Sequence, residues 1–177
     1  MRRVVGICLV LVCFGVFAGA HASAQGESNR GPSTPEERQR FVAVAHKMEQ
    51  SPLDKDLQPE RKWGLFWLTE VPDFTVHLCT GPLGDFMSKK YKYSPEIVIQ
   101  LTFSAGAFLI EHPEKKDDRV AEYVAGVEGA LNAYKSILKA KPEAKSKELD
   151  DLLEKQIQGT LLDFVRESSS KACKGMG

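Results

Sequence analysis

No excess of charge of either sign marks this sequence, because 24 Lys and Arg residues are matched by 24 Asp and Glu. The balance excludes a broad cationic face for nucleic acid, whose affinity rests on Lys and Arg neutralising many phosphates. It equally excludes an acidic disordered chain. Cysteine is scarce, with four in 177 residues and none at C-x-x-C spacing, so neither a redox-active pair nor a zinc ribbon is encoded. H-E-x-x-H, G-x-S-x-G, a phosphate-binding glycine loop, a dinucleotide fingerprint and the C-x-x-C-H of covalent haem attachment are all missing. Nothing calls for a cofactor or a metal. Catalytic groups can still be assembled in space rather than in sequence, so these absences lower the expectation of an enzyme without removing it. What is present, 42% hydrophobic and 8% aromatic residues, suits an ordinary globular chain.

Long apolar runs are lacking except at the start. Arg2 and Arg3 precede an uncharged apolar stretch from Val4 to Ala18, and Ala20, Ala22 and Ala24 follow at the spacing a signal peptidase reads. Residues 1–24 therefore read as a secretory signal cleaved after Ala22 or Ala24, residues 25–34 as a flexible leader and residues 35–177 as one helical domain. A membrane anchor is the alternative, but the run is shorter than the ~20 residues of a bilayer span. Neither Cys8 nor Cys13 follows a small residue, as lipidation would require. Export to a periplasm or the medium leaves a slightly acidic chain with two cysteines, Cys79 and Cys173. A pair in an oxidising compartment suggests a disulfide. Closing a loop of about 95 residues is worth ~4–5 kcal/mol in the chain-entropy model, and the bridge would hold the polar tail from Ser168 onward.

Strand signals are few, and the expected class is a compact all-α bundle of about six helices. Thr34, Pro35 and Glu37 form a capping box ahead of a helix over 35–49. A second helix, Pro59 to Glu70, places Trp63, Phe66 and Trp67 on one face and ends before Pro72. Phe74, Val76 and Leu78 alternate as in a strand, yet Asp73 is a good helix cap and a lone strand is not stable, so a short helix is favoured over 74–79. Ser94, Pro95 and Glu96 open the most apolar segment of the mature chain, Ile97 to Ile110, which predicts a helix over 95–111 buried on most sides and stopped by Pro113. The helix over 118–140 carries a stripe from Val120 to Leu138 that must pack on it, with Gly126 and Gly129 allowing close approach near Gly106. Glu122 is counted with the polar residues of its outer surface. Ser146 caps a fifth helix with a stripe of Leu149, Leu152, Leu153 and Ile157; Gly159 ends it, and Thr160 with Asp163 opens a short sixth. Ala130, Tyr134 and Pro142, with Ile137 between, resemble the second helix of a tetratricopeptide repeat. Upstream, however, Glu114, Asp117 and Asp118 stand where that repeat has Trp, Leu and Gly, so only a helical hairpin is implied.

Chemistry-bearing residues are thinly spread. His46 and Glu49 are one helical turn apart but offer too few metal ligands. Glu111 and His112 could form an acid/base pair, although adjacent helical residues point about 100° apart; a charged His112 would equally suit a helix C-terminus. His77 lies two residues from Cys79, a nucleophile pairing that a disulfide would remove. Lys89, Lys90, Tyr91, Lys92 and Tyr93 interleave charge with aromatic rings and, together with Trp63 and Trp67, offer a surface for a protein or small ligand; the two tryptophans fit core packing as well. The expected function is thus an exported binding protein, with a secreted hydrolase-like enzyme using Glu111 and His112 or His77 as the alternative, and a structural envelope protein as a third. The exported protein should have the mass of a chain beginning at Ser23 or Gln25, less two hydrogens for one disulfide. Intact-mass spectrometry before and after reduction checks both points.

Overall fold

The computed structural model describes residues 30–88 and 90–173, so the signal-like segment lies outside the described residues. The fold is all-α, and no strand occurs among the described residues. Six α-helices follow one another: α1 (Pro35–Gln50), α2 (Gln58–Glu70), α3 (Ser94–Glu111), α4 (Arg119–Ala140), α5 (Lys147–Ile157) and α6 (Leu161–Ala172). Single 3-10 turns occupy Lys55–Leu57 and Pro113–Lys115, and Gly81–Ser88 holds two 3-10 segments joined by a kink at Gly84. No helix among the described residues is long and apolar enough to cross a membrane.

The helix starts follow from local chemistry. Glu37 donates its backbone N–H to Thr34 Oγ1 at 3.2 Å, while Thr34 N–H donates to Glu37 Oε2 at 3.0 Å, completing the expected capping box. Asp118 and Ser146 cap α4 and α5 by accepting the N–H groups of Ala121 and Leu149. Gly159 takes φ +73°, the left-handed conformation that closes α5. Thr160 departs from expectation: its hydroxyl turns back to the Lys155 carbonyl, and α6 starts without a side-chain cap.

Helix α3 is buried on most of its circumference, as its apolar sequence predicts, and packs chiefly on α4 and then on α1. Glycines set the closeness of the α3–α4 contact. A Cβ added at Gly126 would lie 2.9 Å from the Leu101 carbonyl oxygen, and one at Gly129 would lie 2.3 Å from Ser104 Cβ. The point of approach is therefore Leu101 to Ala105, one step before the expected Gly106. That glycine instead receives the Phe41 ring of α1, 2.8 Å from where its own Cβ would stand.

Two apolar clusters result. One joins α3, α4, α5 and α6 through residues such as Leu101, Val127, Leu131, Tyr134, Leu149 and Val165. The other lies between α1, α2 and α3, where Phe41 stacks on Trp67 and Phe103 with ring centroids 5.0 and 4.8 Å apart. Ile157, assigned to the apolar stripe of α5, is instead the last residue of that helix and is 85% exposed. Cys79 and Cys173 form the expected disulfide, with Cα atoms 6.0 Å apart, and α6 extends through Ala172 to meet it.

The α3–α4 contact has a direct test. Replacing Gly129 with Ala should cost about 1–3 kcal/mol through overpacking, lowering the melting temperature by roughly 2–4 °C per kcal/mol. Gly31, whose added Cβ would meet nothing within 4 Å, supplies the control. Calorimetry of Gly129→Ala beside Gly31→Ala should show the loss in the first alone.

Candidate functional site

Between α2 and the turn at Gly81 the chain adopts neither the favoured helix nor a strand. Residues 74–80 run without a turn or bend, and 71–80 form a strap between α2 and that turn. Its shape follows from what holds it. The Asp73 carboxylate, expected to cap a helix, instead accepts the Ser33 N–H at 2.8 Å, the Ser33 hydroxyl at 3.0 Å and Arg38 at 2.7 Å. Partial burial raises its carboxyl less than these bonds lower it, and the net value falls below the usual carboxylate range. Farther along, His77 donates its backbone N–H to Glu122 Oε1 at 2.6 Å. At the far end Cys79 is bonded to Cys173, which removes the Cys79/His77 nucleophile.

Glu122 is the group that sequence reading misplaced. Assigned to the outer surface of α4, it is fully buried. Its position was legible in one respect: 122, 126 and 129 follow helical i, i+4, i+7 spacing, so Glu122 shares the face on which the two glycines meet α3. Burial pushes its carboxyl upward, against the opposing pull of the His77 N–H, the His77 ring and Arg119. Arg119 Nη1 lies 3.2 Å from Oε2, and His77 Nδ1 lies 3.4 Å from the same oxygen without making a hydrogen bond.

The strap separates two hollows. On its polar flank, a cavity of about 310 Å³ has Arg38, His77, Lys116 and Arg119 around a floor that includes Leu109 and Ile110. On its other flank a groove of about 500 Å³ runs between α2 and the strap, lined by Leu65, Leu68, Phe74, Val76 and Leu78, with threonines as its polar residues. Leu65, Phe66 and Leu78 are 38%, 62% and 42% exposed, a local concentration of uncovered apolar side chains.

The other candidates do not converge. Glu111 Oε1 lies 3.0 Å from His46 Nε2 across α1 and α3, whereas His112 packs on the Phe108 ring and places Nδ1 3.6 Å from Glu114. The proposed Glu111/His112 acid/base pair is thus divided between partners, as the 100° offset of helical neighbours requires. Glu49, the second ligand suggested for His46, accepts hydrogen bonds from Ser104 and Asn132 and ties α1 to α3 and α4. No cluster of three His, Cys, Asp or Glu able to hold a metal occurs among the described residues.

The suggested aromatic surface is also divided. Trp67 is 1% exposed inside the α1–α2–α3 cluster, which removes it from any binding surface. Trp63 is half-buried beneath the Arg40 guanidinium, 3.8 Å above its ring. Tyr91 donates its hydroxyl to the Ala144 carbonyl at 2.9 Å and packs with Tyr93 on the other cluster. Lys90 and Lys92 are exposed; Lys89 lies outside the described residues. Because α3 is buried between the two clusters, Trp63 and the Tyr91–Tyr93 loop do not form one surface.

No family model, curated protein or solved structure matches this chain.

Glu122 makes a pH prediction. With its folded-state pKa raised, the ionised carboxylate carries a penalty that is full above that value and vanishes as pH falls below the ordinary 4.5. The Glu122→Gln chain should therefore gain stability relative to the parent as pH rises from 4.5 to 7, because glutamine mimics the protonated form. Urea unfolding of both at the two pH values checks it; a constant difference would contradict the assignment.

Proposed function

We propose that this chain is an exported binding protein that engages a protein partner along the groove between α2 and the strap and performs no chemistry of its own. The observation that carries the reading is the apolar lining of that groove, with Leu65 and Leu78 open to solvent at its edges. Burying such side chains against a partner contributes roughly 25 cal/mol per Å², and leaving them uncovered serves no purpose in the fold, since neither cluster depends on them. Export is supported by the signal-like residues 1–24 and is consistent with a disulfide formed in an oxidising compartment.

A second reading has its own observation. His77 lines the cavity on the polar flank and has the buried Glu122 carboxylate 3.4 Å from its ring, an arrangement that suits acid/base work in a secreted hydrolase-like enzyme. The two readings separate experimentally. In-cell crosslinking of the exported protein, followed by mass spectrometry, should recover one reproducible partner, and Leu65→Asp with Leu78→Asp should reduce that recovery at least tenfold while leaving the melting curve in place. Recovery unaffected by the aspartates, with a hydrolytic activity abolished by His77→Ala, would instead establish the enzyme.

A further inference from the structure

The sequence of the strap has the alternation of a strand, Phe74, Val76 and Leu78 against Thr75, His77 and Cys79, and no strand occurs among the described residues to pair with it. From Phe74 to Thr80, His77 is the one residue whose backbone N–H is hydrogen-bonded among the described residues. We propose that the strap is a strand-addition site, at which an extended segment of a partner protein pairs with the backbone of Val76 and Leu78 and lays apolar side chains into the adjoining groove. The inference rests on the binding reading above and names the form its partner takes.

Three features of the strap argue for this occupant. In a strand, successive N–H groups point to opposite edges. With the His77 N–H turned to Glu122 on α4, a strand at this place would present the N–H and carbonyl of Val76 and of Leu78 at the other edge. An unpaired edge of this kind is a template for another strand, and main-chain hydrogen bonds then supply affinity while side-chain pockets supply selectivity. Charge fixes the character of the occupant. No charged side chain lines the groove, whereas Arg38, Asp73, Lys116, Asp117 and Arg119 all lie on the opposite flank, so the residues entering the groove are uncharged and apolar at every second position. Finally, the strap is already held at Asp73, His77 and Cys79, so pairing does not have to order it.

The test uses the exported chain and a capped octapeptide of alternating Val and Thr, with backbone amide exchange as the readout. Saturating peptide should slow exchange at Val76 and Leu78 at least tenfold and leave His77, already bonded, nearly unchanged. The same peptide N-methylated at alternate amides should give no protection. Unchanged exchange at Val76 and Leu78 would overturn the proposal, as would equal protection by an amphipathic helical peptide. Protection that rises with protein concentration in the absence of peptide would also overturn it, by showing that a second copy of this chain covers the strap. If the aspartate substitutions remove the crosslinked partner while exchange is insensitive to peptide, strand addition fails and the binding reading stands; if crosslinking is also insensitive to them, both fail.

Discussion

The rest of the structure depends on how closely α3 and α4 approach. Two glycines, Gly126 and Gly129, bring the α4 backbone against Leu101 and Ser104, at separations no other residue would permit without displacement. With one side of α3 committed in this way, its other sides are left for α1 and for the loops between. A helix covered on most of its circumference divides the interior, and the two clusters on either side of it are the result. The same α4 face that carries the glycines also carries Glu122 inward. A contact made for packing thereby places a carboxylate where water does not reach it, and the strap is positioned by satisfying that carboxylate.

The parts of this fold that sequence reveals are those fixed by neighbours along the chain. The Thr34 capping box, the Ser146 cap, the Gly159 stop and the apolar run of α3 each depend on residues within a turn or two, and each was readable. The Cys79–Cys173 pairing was readable for a different reason, since removing the signal-like segment leaves no other choice. What escaped depends on distant partners. Asp73 would cap a helix if Ser33 and Arg38 were not there to claim it, and both precede it by more than thirty residues. Glu111 looks like a partner for His112 until α1 brings His46 alongside. Trp63 and Tyr91 seem able to share a surface only while the helix that separates them is ignored.

The strap is a compromise between local and distant demands. Its alternation asks for a sheet, Asp73 asks for a helix, and neither is formed because three unrelated parts of the molecule hold it in place. Such a segment has a definite path without the internal hydrogen bonds that normally define one. Its order is borrowed from the helices around it.

The disulfide has a mechanical meaning as well. It closes residues 79 to 173 into a loop that contains α3, α4, α5 and α6. A pull on the two ends of the chain travels from Cys79 directly to Cys173 through sulfur, and those four helices carry none of the tension. Among the described residues, those free to lengthen are the ones before Cys79, which include α1, α2 and most of the strap. Under load, the first elements to be drawn out are those that form the groove, while the interior built around α3 and α4 keeps its own connections as a covalently closed unit.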